Sequence, residues 1–253
     1  MSATTLGRRD LLLASGAVLA SAGAAAQAEE KSRHLEFMVV GAHPDDPETG
    51  CGGTMARLAD LGHEVVSAYL TRGEAGIPGT PAEDAARIRT GEAERACAIL
   101  GARPLFLGQV DGATEVNAQR YQEVRDVLSE EKPDVVLCHW PVDTHRDHRA
   151  AALLTYDAWQ SLGRPFALYY YEVMSGHQTQ VFHPSHFVDI GTTVQRKHEA
   201  CFVHRSQRIE ETYGNDHGRM EVFRGMEALC DYAEAFVLHP QSPGAPGLPG
   251  GPA

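Results

Sequence analysis

Cysteine is scarce in this chain of 253 residues, and the few present follow no pairing pattern. Cys51, Cys97, Cys138, Cys201 and Cys230 are odd in number, scattered and without a CxxC pair. That excludes a disulfide scaffold and suits small buried hydrophobes. Basic residues are also short: 22 Lys and Arg face 34 Asp and Glu, for a formal net charge of -12. An acidic surface repels phosphate backbones, which argues against nucleic acid as a partner and leaves a neutral sugar or a small amide open. Beyond the N-terminus no segment is long and apolar enough to span a bilayer. The run Gly50-Cys51-Gly52-Gly53 lacks a following Gly-Lys-Ser/Thr, so it is not a P-loop. It reads instead as a stretch that lets the backbone pass close to the polar loop before it. No internal repeat is present. What remains is an ordinary globular composition, 43% hydrophobic and 22% charged.

The N-terminus is set apart from the fold. Gly7-Arg8-Arg9-Asp10 begins a charged start with twin arginines, residues 11–26 are apolar, and Ala26-Gln27-Ala28 is a small-x-small site. This predicts a twin-arginine export signal over residues 1–28, with the mature chain periplasmic or extracellular and without a stable membrane anchor. Residues 29–240 then form one domain. The Pro- and Gly-rich residues 241–253 offer little to bury and predict a disordered tail.

Periodicity predicts a strand over 35–40, a helix over 54–61 ended by Gly62, and a strand over 63–71. Gly and Pro make 72–81 a loop, and a helix follows over 82–100. A short strand over 104–107, a helix over 117–131 and a buried strand over 133–139 come next, then a helix over 149–161. Strands over 168–173 and 185–190, a helix over 192–202 and a mixed segment over 220–237, helical at 221–231, complete the domain. This alternation implies an α/β fold, a Rossmann-like three-layer sandwich with a mostly parallel sheet.

Two polar loops directly follow strands, 42–48 and 140–148, and in such sheets ligands bind beyond the carboxyl ends of the strands. Together the loops supply His43, Asp45, Asp46, Glu48, Asp143, His145, Asp147 and His148. Zinc takes His nitrogen and carboxylate oxygen and, in catalytic sites, keeps a position open for water. Spacing leaves the allocation open. One of the adjacent Asp45 and Asp46 can bind metal while the other faces the water. Both His145 and His148 can face the metal, or one can bind while the other lies over the substrate. Glu48 equally suits a helix cap, and His139 suits a hydrogen-bonded core position. Arg89 also fits the exposed face of its helix, and His183 to His186 is a candidate pocket rim.

The segments AHPDDPETGCGGT (42–54) and HRDH (145–148) resemble the PIG-L, or LmbE-like, family of zinc deacetylases, whose signature is AHPDDxE followed much later by HxDH or HxxDH. TRGEAG at 71–76, RTGEA at 89–93 and LGQVDG at 107–112 extend the similarity. The resemblance implies zinc, in a donor set that also suits other divalent ions, held by His43, Asp46 and His148. It implies Asp45 as general base, with metal-bound water as nucleophile. It implies a protonated His145 that stabilises the oxyanion, Asp147 as the partner of a histidine, and Arg89 and Asp111 as contacts to a sugar. The implied reaction removes acetyl from an N-acetylated amino sugar or related glycoconjugate, and relatives of this kind form trimers or hexamers. The alternatives are a metal- or sugar-binding module without catalysis and a hydrolase of a different amide.

Overall fold

The computed structural model describes residues 34–244 and 247–249. The expected export signal over 1–28 lies outside the described residues. The first strand, β1 (Glu36–Gly41), is apolar on both faces because it is covered from both sides. Phe37 and Val39 enter one core with Met55 and Leu58, while Met38 and Val40 enter the other with Leu154 and Trp159. A strand buried on both faces is the mark of the centre of an α/β sheet.

The other strands are β2 (Glu64–Thr71), β3 (Arg103–Gln109), β4 (Val135–His139), β5 (Ala167–Tyr171), β6 (His186–Asp189) and β7 (Ala233–Leu238). They form one sheet in the order β3-β2-β1-β4-β5-β7-β6. The pairs among β1 to β5 are parallel, and β7 runs antiparallel to both β5 and β6. The helices are α1 (Asp46–Asp60), α2 (Ala82–Leu100), α3 (Ala118–Glu131), α4 (Arg146–Ser161), α5 (Val194–Phe202), α6 (Ile209–Thr212) and α7 (His217–Ala228). Helices α1, α2 and α5 pack together over one face and α3 with α4 over the other, giving the expected three-layer α/β sandwich. No described helix is long and apolar enough to cross a membrane. Four of the cysteines are buried, and all five are free thiols.

The chain passes from β1 outward to β2 and β3, then returns to place β4 on the other side of β1. The order reverses between β1 and β4, and at that point the carboxyl ends of adjacent strands open a crevice. The loops after these two strands carry the two motifs.

Three departures from the predicted elements have physical causes. Helix α1 begins at Asp46, not at residue 54, so the glycine run is helical. Pro47 in its first turn suits a helix start, and Asp46 and Glu48 there complement the helix dipole. Gly50 and Gly53 serve close packing: a Cβ at Gly50 would lie 2.5 Å from the Tyr171 ring, and one at Gly53 would lie 2.6 Å from Ile190. Strand β7 escaped prediction because Glu234 breaks its apolar pattern. That side chain is fully buried and accepts hydrogen bonds from the backbone N–H of Gly53 (2.9 Å) and Thr54 (2.8 Å). The expectation of an unpacked tail over 241–253 is corrected at two of its described residues. The Ser242 hydroxyl accepts from the Leu168 N–H at 3.0 Å, and Leu248 is buried in the core beside Phe37 and its neighbours.

Candidate active site

The turn after β1 is built around Asp46. Its Oδ2 accepts from the backbone N–H of Ala42 (3.0 Å) and of His43 (2.7 Å), which closes the loop over the start of α1. Thr71 ties the loop to the neighbouring strand, donating from its hydroxyl to the Ala42 carbonyl at 3.0 Å. Asp45 sits between with φ of 111°, a conformation rarely adopted by a residue with a side chain. Glu48 holds it there by accepting the Asp45 N–H at 3.1 Å, so the capping role expected of Glu48 is real. Strain of this kind persists only where the surroundings over-determine it, and it collects at functional sites.

His145 is the N-cap of α4, its Nδ1 accepting from the Asp147 N–H at 3.3 Å. One helical turn therefore carries His145, Asp147 and His148 to the switch point. There His148 Nε2 lies 3.3 Å from Asp46 Oδ1, and His43 Nδ1 lies 3.2 Å from Asp46 Oδ2. The three predicted ligands thus converge although about a hundred residues separate the motifs. Groups of donors within 4.8 Å of one another overlap here: His43, His145 and His148; Asp46, His139 and His148; His43, Asp111 and Asp147.

The far nitrogen of each predicted ligand histidine meets carboxylate. His43 Nε2 is 3.1 Å from Asp111 Oδ1 and 3.3 Å from Asp147 Oδ2, and His148 Nδ1 is 3.1 Å from Asp143 Oδ1. Histidines that bind metal almost always have such a partner on the opposite nitrogen, which fixes the tautomer and raises basicity. The site fits a divalent ion on this chemistry. His139, buried as expected, is less available: its Nε2 accepts the Ala42 N–H at 3.2 Å and touches Asp46 and the Tyr171 hydroxyl, each at 3.3 Å.

Asp147 partners His43, and its own carboxylate accepts from Thr114 Oγ1 (2.6 Å) and the Gly112 N–H (2.8 Å). Burial opposes its charge, yet these bonds and His43 hold its pKa well below the carboxylate range. It is fully buried, so its carboxylate meets only protein groups. Asp111, expected to contact a sugar, lines the cleft but is also bound to His43 and to the Ala75 N–H. Arg89 is not on an exposed face. It is buried, and its Nη2 donates to Asp45 Oδ2 at 2.9 Å and to the Pro44 carbonyl at 2.5 Å.

Burial pushes the Asp45 carboxyl up to about 6; Arg89 pulls against this and Asp46 adds to it. That places Asp45 where it can both take and return a proton near neutrality. Burial, with His148 and His43 beside it, pushes His145 down. With Nδ1 accepting from Asp147 N–H, its proton resides on Nε2.

The resulting cleft encloses about 490 Å³. His43, Asp45, Asp46, His145 and His148 line one side. Gln178, Gln207 and His217 also line it, and no motif in the sequence marks any of the three. They lie in irregular segments or at a helix start, where periodicity carries no signal. His183 and His186 are not among the lining residues.

Residues 38–159 match the family PIG-L, described as GlcNAc-PI de-N-acetylase. A diacetylchitobiose deacetylase of Thermococcus kodakarensis is 32% identical over 187 residues, spanning 68% of this chain and 69% of that protein. Among solved structures, N,N'-diacetylchitobiose deacetylase from Pyrococcus horikoshii superposes with a TM-score of 0.72 at 24% identity, covering 83% of this chain and 87% of that one. The 4-carboxy-2-hydroxymuconate hydratase GalB of Pseudomonas putida KT2440 also superposes at 0.72 and 24%, over 83% of this chain and 98% of its own, so the fold by itself does not specify the reaction. The motifs, the spatial convergence of their residues and the match to the Thermococcus protein together place this chain in the PIG-L family.

Proposed function

We propose that the chain is a zinc-dependent N-deacetylase that cleaves the acetamide of an N-acetylated amino sugar or related glycoconjugate. The observation that carries this reading is the pairing of Asp46 with both His43 and His148, beside an Asp45 held in a strained turn. The sugar class rests on relatives named as deacetylases of diacetylchitobiose and of N-acetylparomamine. A zinc ion held by His43, Asp46 and His148 would lower the pKa of a water to about 7 and polarise the acetamide carbonyl.

The chain's own residues do the rest. Asp45 takes a proton from the attacking water as its oxygen bonds to the carbonyl carbon. His145 donates its Nε2–H to the oxygen that gains charge, a contribution typically worth ~2.7–4 kcal/mol of barrier. Asp45 returns its proton to the amide nitrogen, the C–N bond breaks, and acetate and the free amine leave. Arg89 keeps Asp45 aimed and limits the rise of its pKa. Asp147, Asp111 and Asp143 hold the two ligand histidines in orientation.

The test is Asp45→Asn in the zinc-loaded mature protein. It retains about the wild-type metal content and loses roughly 100- to 10,000-fold in kcat on the N-acetyl sugar that the wild type turns over best. Undiminished turnover refutes the assignment. Twin-arginine export to the periplasm or beyond is part of the same proposal, resting on Arg8-Arg9 and Ala26-Gln27-Ala28. Changing both arginines to Lys should leave the full chain in the cytoplasmic fraction, and unchanged export of that variant rejects the route.

A further inference from the structure

Glu48 holds the Asp45 turn, and the groups that hold Glu48 come from outside both motifs. Its carboxylate is fully buried. Oε2 takes the Asp45 N–H at 3.1 Å, and Oε1 accepts from the Tyr69 hydroxyl of β2 at 2.5 Å. A carboxylate taken out of water also needs a counter-charge to offset its lost hydration. Among the described residues one basic side chain comes within 4 Å of it: His204, whose Nε2 lies 3.6 Å from Glu48 Oε1.

His204 gains little from its own surroundings. Its ring is fully buried, and neither ring nitrogen has a hydrogen-bond partner. Such a ring costs stability that an apolar side chain would not. Its backbone is fixed. The His204 N–H donates to the Cys201 carbonyl at the end of α5, at 3.2 Å. Two residues on, Ser206 gives its N–H (2.9 Å) and its hydroxyl (2.6 Å) to the two oxygens of Glu92. Glu92 lies on α2, one turn from the Arg89 that pairs with the Asp45 carboxylate. The Gln207 amide donates to the Gly76 carbonyl at 3.2 Å. The turn at 204–207 is thus pinned to α2 and to the loop after β2, and it holds the ring against Glu48.

We infer that His204 is a positioning residue for Asp45, acting through the Glu48 carboxylate. The contact of 3.6 Å is longer than a hydrogen bond, so its hold is electrostatic, in a dry site where such attraction is far stronger than in water. A carboxylate is rigid and planar. A rotation that carries Oε1 away from His204 and Tyr69 also carries Oε2 away from the Asp45 N–H. The strain at Asp45, φ of 111°, then loses the group that maintains it. The inference rests on the deacetylase reading for the role of Asp45 as proton carrier, but not for the tie between His204 and the turn.

Two variants and two readouts test it. His204→Leu fills the space with an apolar side chain, and His204→Gln can place its amide nitrogen where the ring Nε2 stands. Zinc-loaded His204→Leu should keep its metal and its KM and lose about 10- to 100-fold in kcat, the size of a small misplacement of a reacting group. Exchange of the Asp45 amide hydrogen, followed by NMR, should be at least ~10-fold faster in that variant. His204→Gln should recover most of both. In a Glu48→Ala background His204→Leu should change neither any further, because contacts that act through one residue are not additive. Unchanged kcat and exchange in His204→Leu overturn the inference. So does a loss that repeats in full without Glu48, or one that His204→Gln does not relieve. Should the leucine variant fail to fold, His204→Asn, whose shorter amide stops short of Glu48, takes its place. Exchange that responds as described, in a protein that releases no amine from any N-acetyl sugar, would defeat the deacetylase reading and leave the tie between His204 and the Asp45 turn standing.

Discussion

Lys197 offers the sharpest test of what holds the site's helix in place. Its ammonium is fully buried, 2.8 Å from Glu234 Oε1 and 3.1 Å from Glu221 Oε1. Glu234 in turn takes the N–H groups of Gly53 and Thr54 in the middle of α1, and Glu221 takes the Tyr213 hydroxyl at 2.6 Å and faces His198 Nε2 at 2.9 Å. Lys197→Met keeps an unbranched side chain, one heavy atom shorter, and removes its charge, leaving two buried carboxylates without their shared cation. Removing one partner of a buried pair typically costs about 3–5 kcal/mol. A second route gives a similar size. Burial pushes Glu221 up, but Lys197 and the bonds from His198 and Tyr213 outweigh it and hold its pKa down at about 2, against an ordinary value of 4.5. That difference corresponds to roughly 3 kcal/mol of folding stability at neutral pH. Because the folded-state pKa is depressed, this stability is present above about pH 4.5 and is lost as pH falls through about 2. Urea unfolding of the mature protein at pH 7, followed by circular dichroism, should therefore show Lys197→Met less stable by about 3 kcal/mol. Between pH 6 and 3 the wild type should lose stability more steeply than Glu221→Gln. A loss under ~1 kcal/mol for Lys197→Met, or matching acid slopes for wild type and Glu221→Gln, would refute the reasoning.

Three further outcomes follow from the geometry. Asp147→Asn keeps shape but weakens the partner of His43; zinc affinity measured by competition with a chelator should fall about 10- to 100-fold, and unchanged affinity would remove Asp147 from the support of the site. Gly50→Ala drives a methyl into the Tyr171 ring, so its urea midpoint should correspond to a loss of about 1–3 kcal/mol; a neutral result would mean that α1 can move away from β5. Stripping metal with a chelator should abolish acetate release and adding zinc should restore it, while activity that survives in metal-free protein would dismiss the ion from the reaction.

Much of this architecture is legible in the chain because two signals agree. Apolar runs of strand length alternate with helical spacing, and the polar loops begin where the apolar runs of β1 and β4 end. Their meeting follows from the order reversal of a parallel sheet, which needs no knowledge of side-chain positions. The misses have a common source in residues that serve a distant element instead of their own. The glycines of α1 argue locally against helix, yet Tyr171 and Ile190 press too close to allow anything larger. Glu234 argues locally against a buried strand, yet it is the acceptor for two N–H groups of α1.

The same distinction governs the site. Residue types and spacing are enough to nominate a pool of donors, but allocation within the pool depends on what each side chain meets across the crevice. Asp45 and Asp46 are chemically identical neighbours. Asp46 turns inward to two backbone N–H groups and two histidines, and its pKa falls well below the usual value despite burial, so it suits a permanent anion. Asp45 meets burial that outweighs its ion pair with Arg89, so it suits a proton carrier. One φ of 111° at Asp45 separates the two fates, and Glu48, three residues along, holds that turn by accepting its N–H. Loss of that acceptor at Glu48 thus reaches the chemistry without touching substrate. Glu48→Gln keeps an acceptor for that N–H and should retain most activity, whereas Glu48→Ala frees the turn. The alanine variant should lose kcat while keeping its zinc, measured by turnover and metal content on the same preparation. Equal kcat in both variants would mean that Asp45 is held by Arg89 alone.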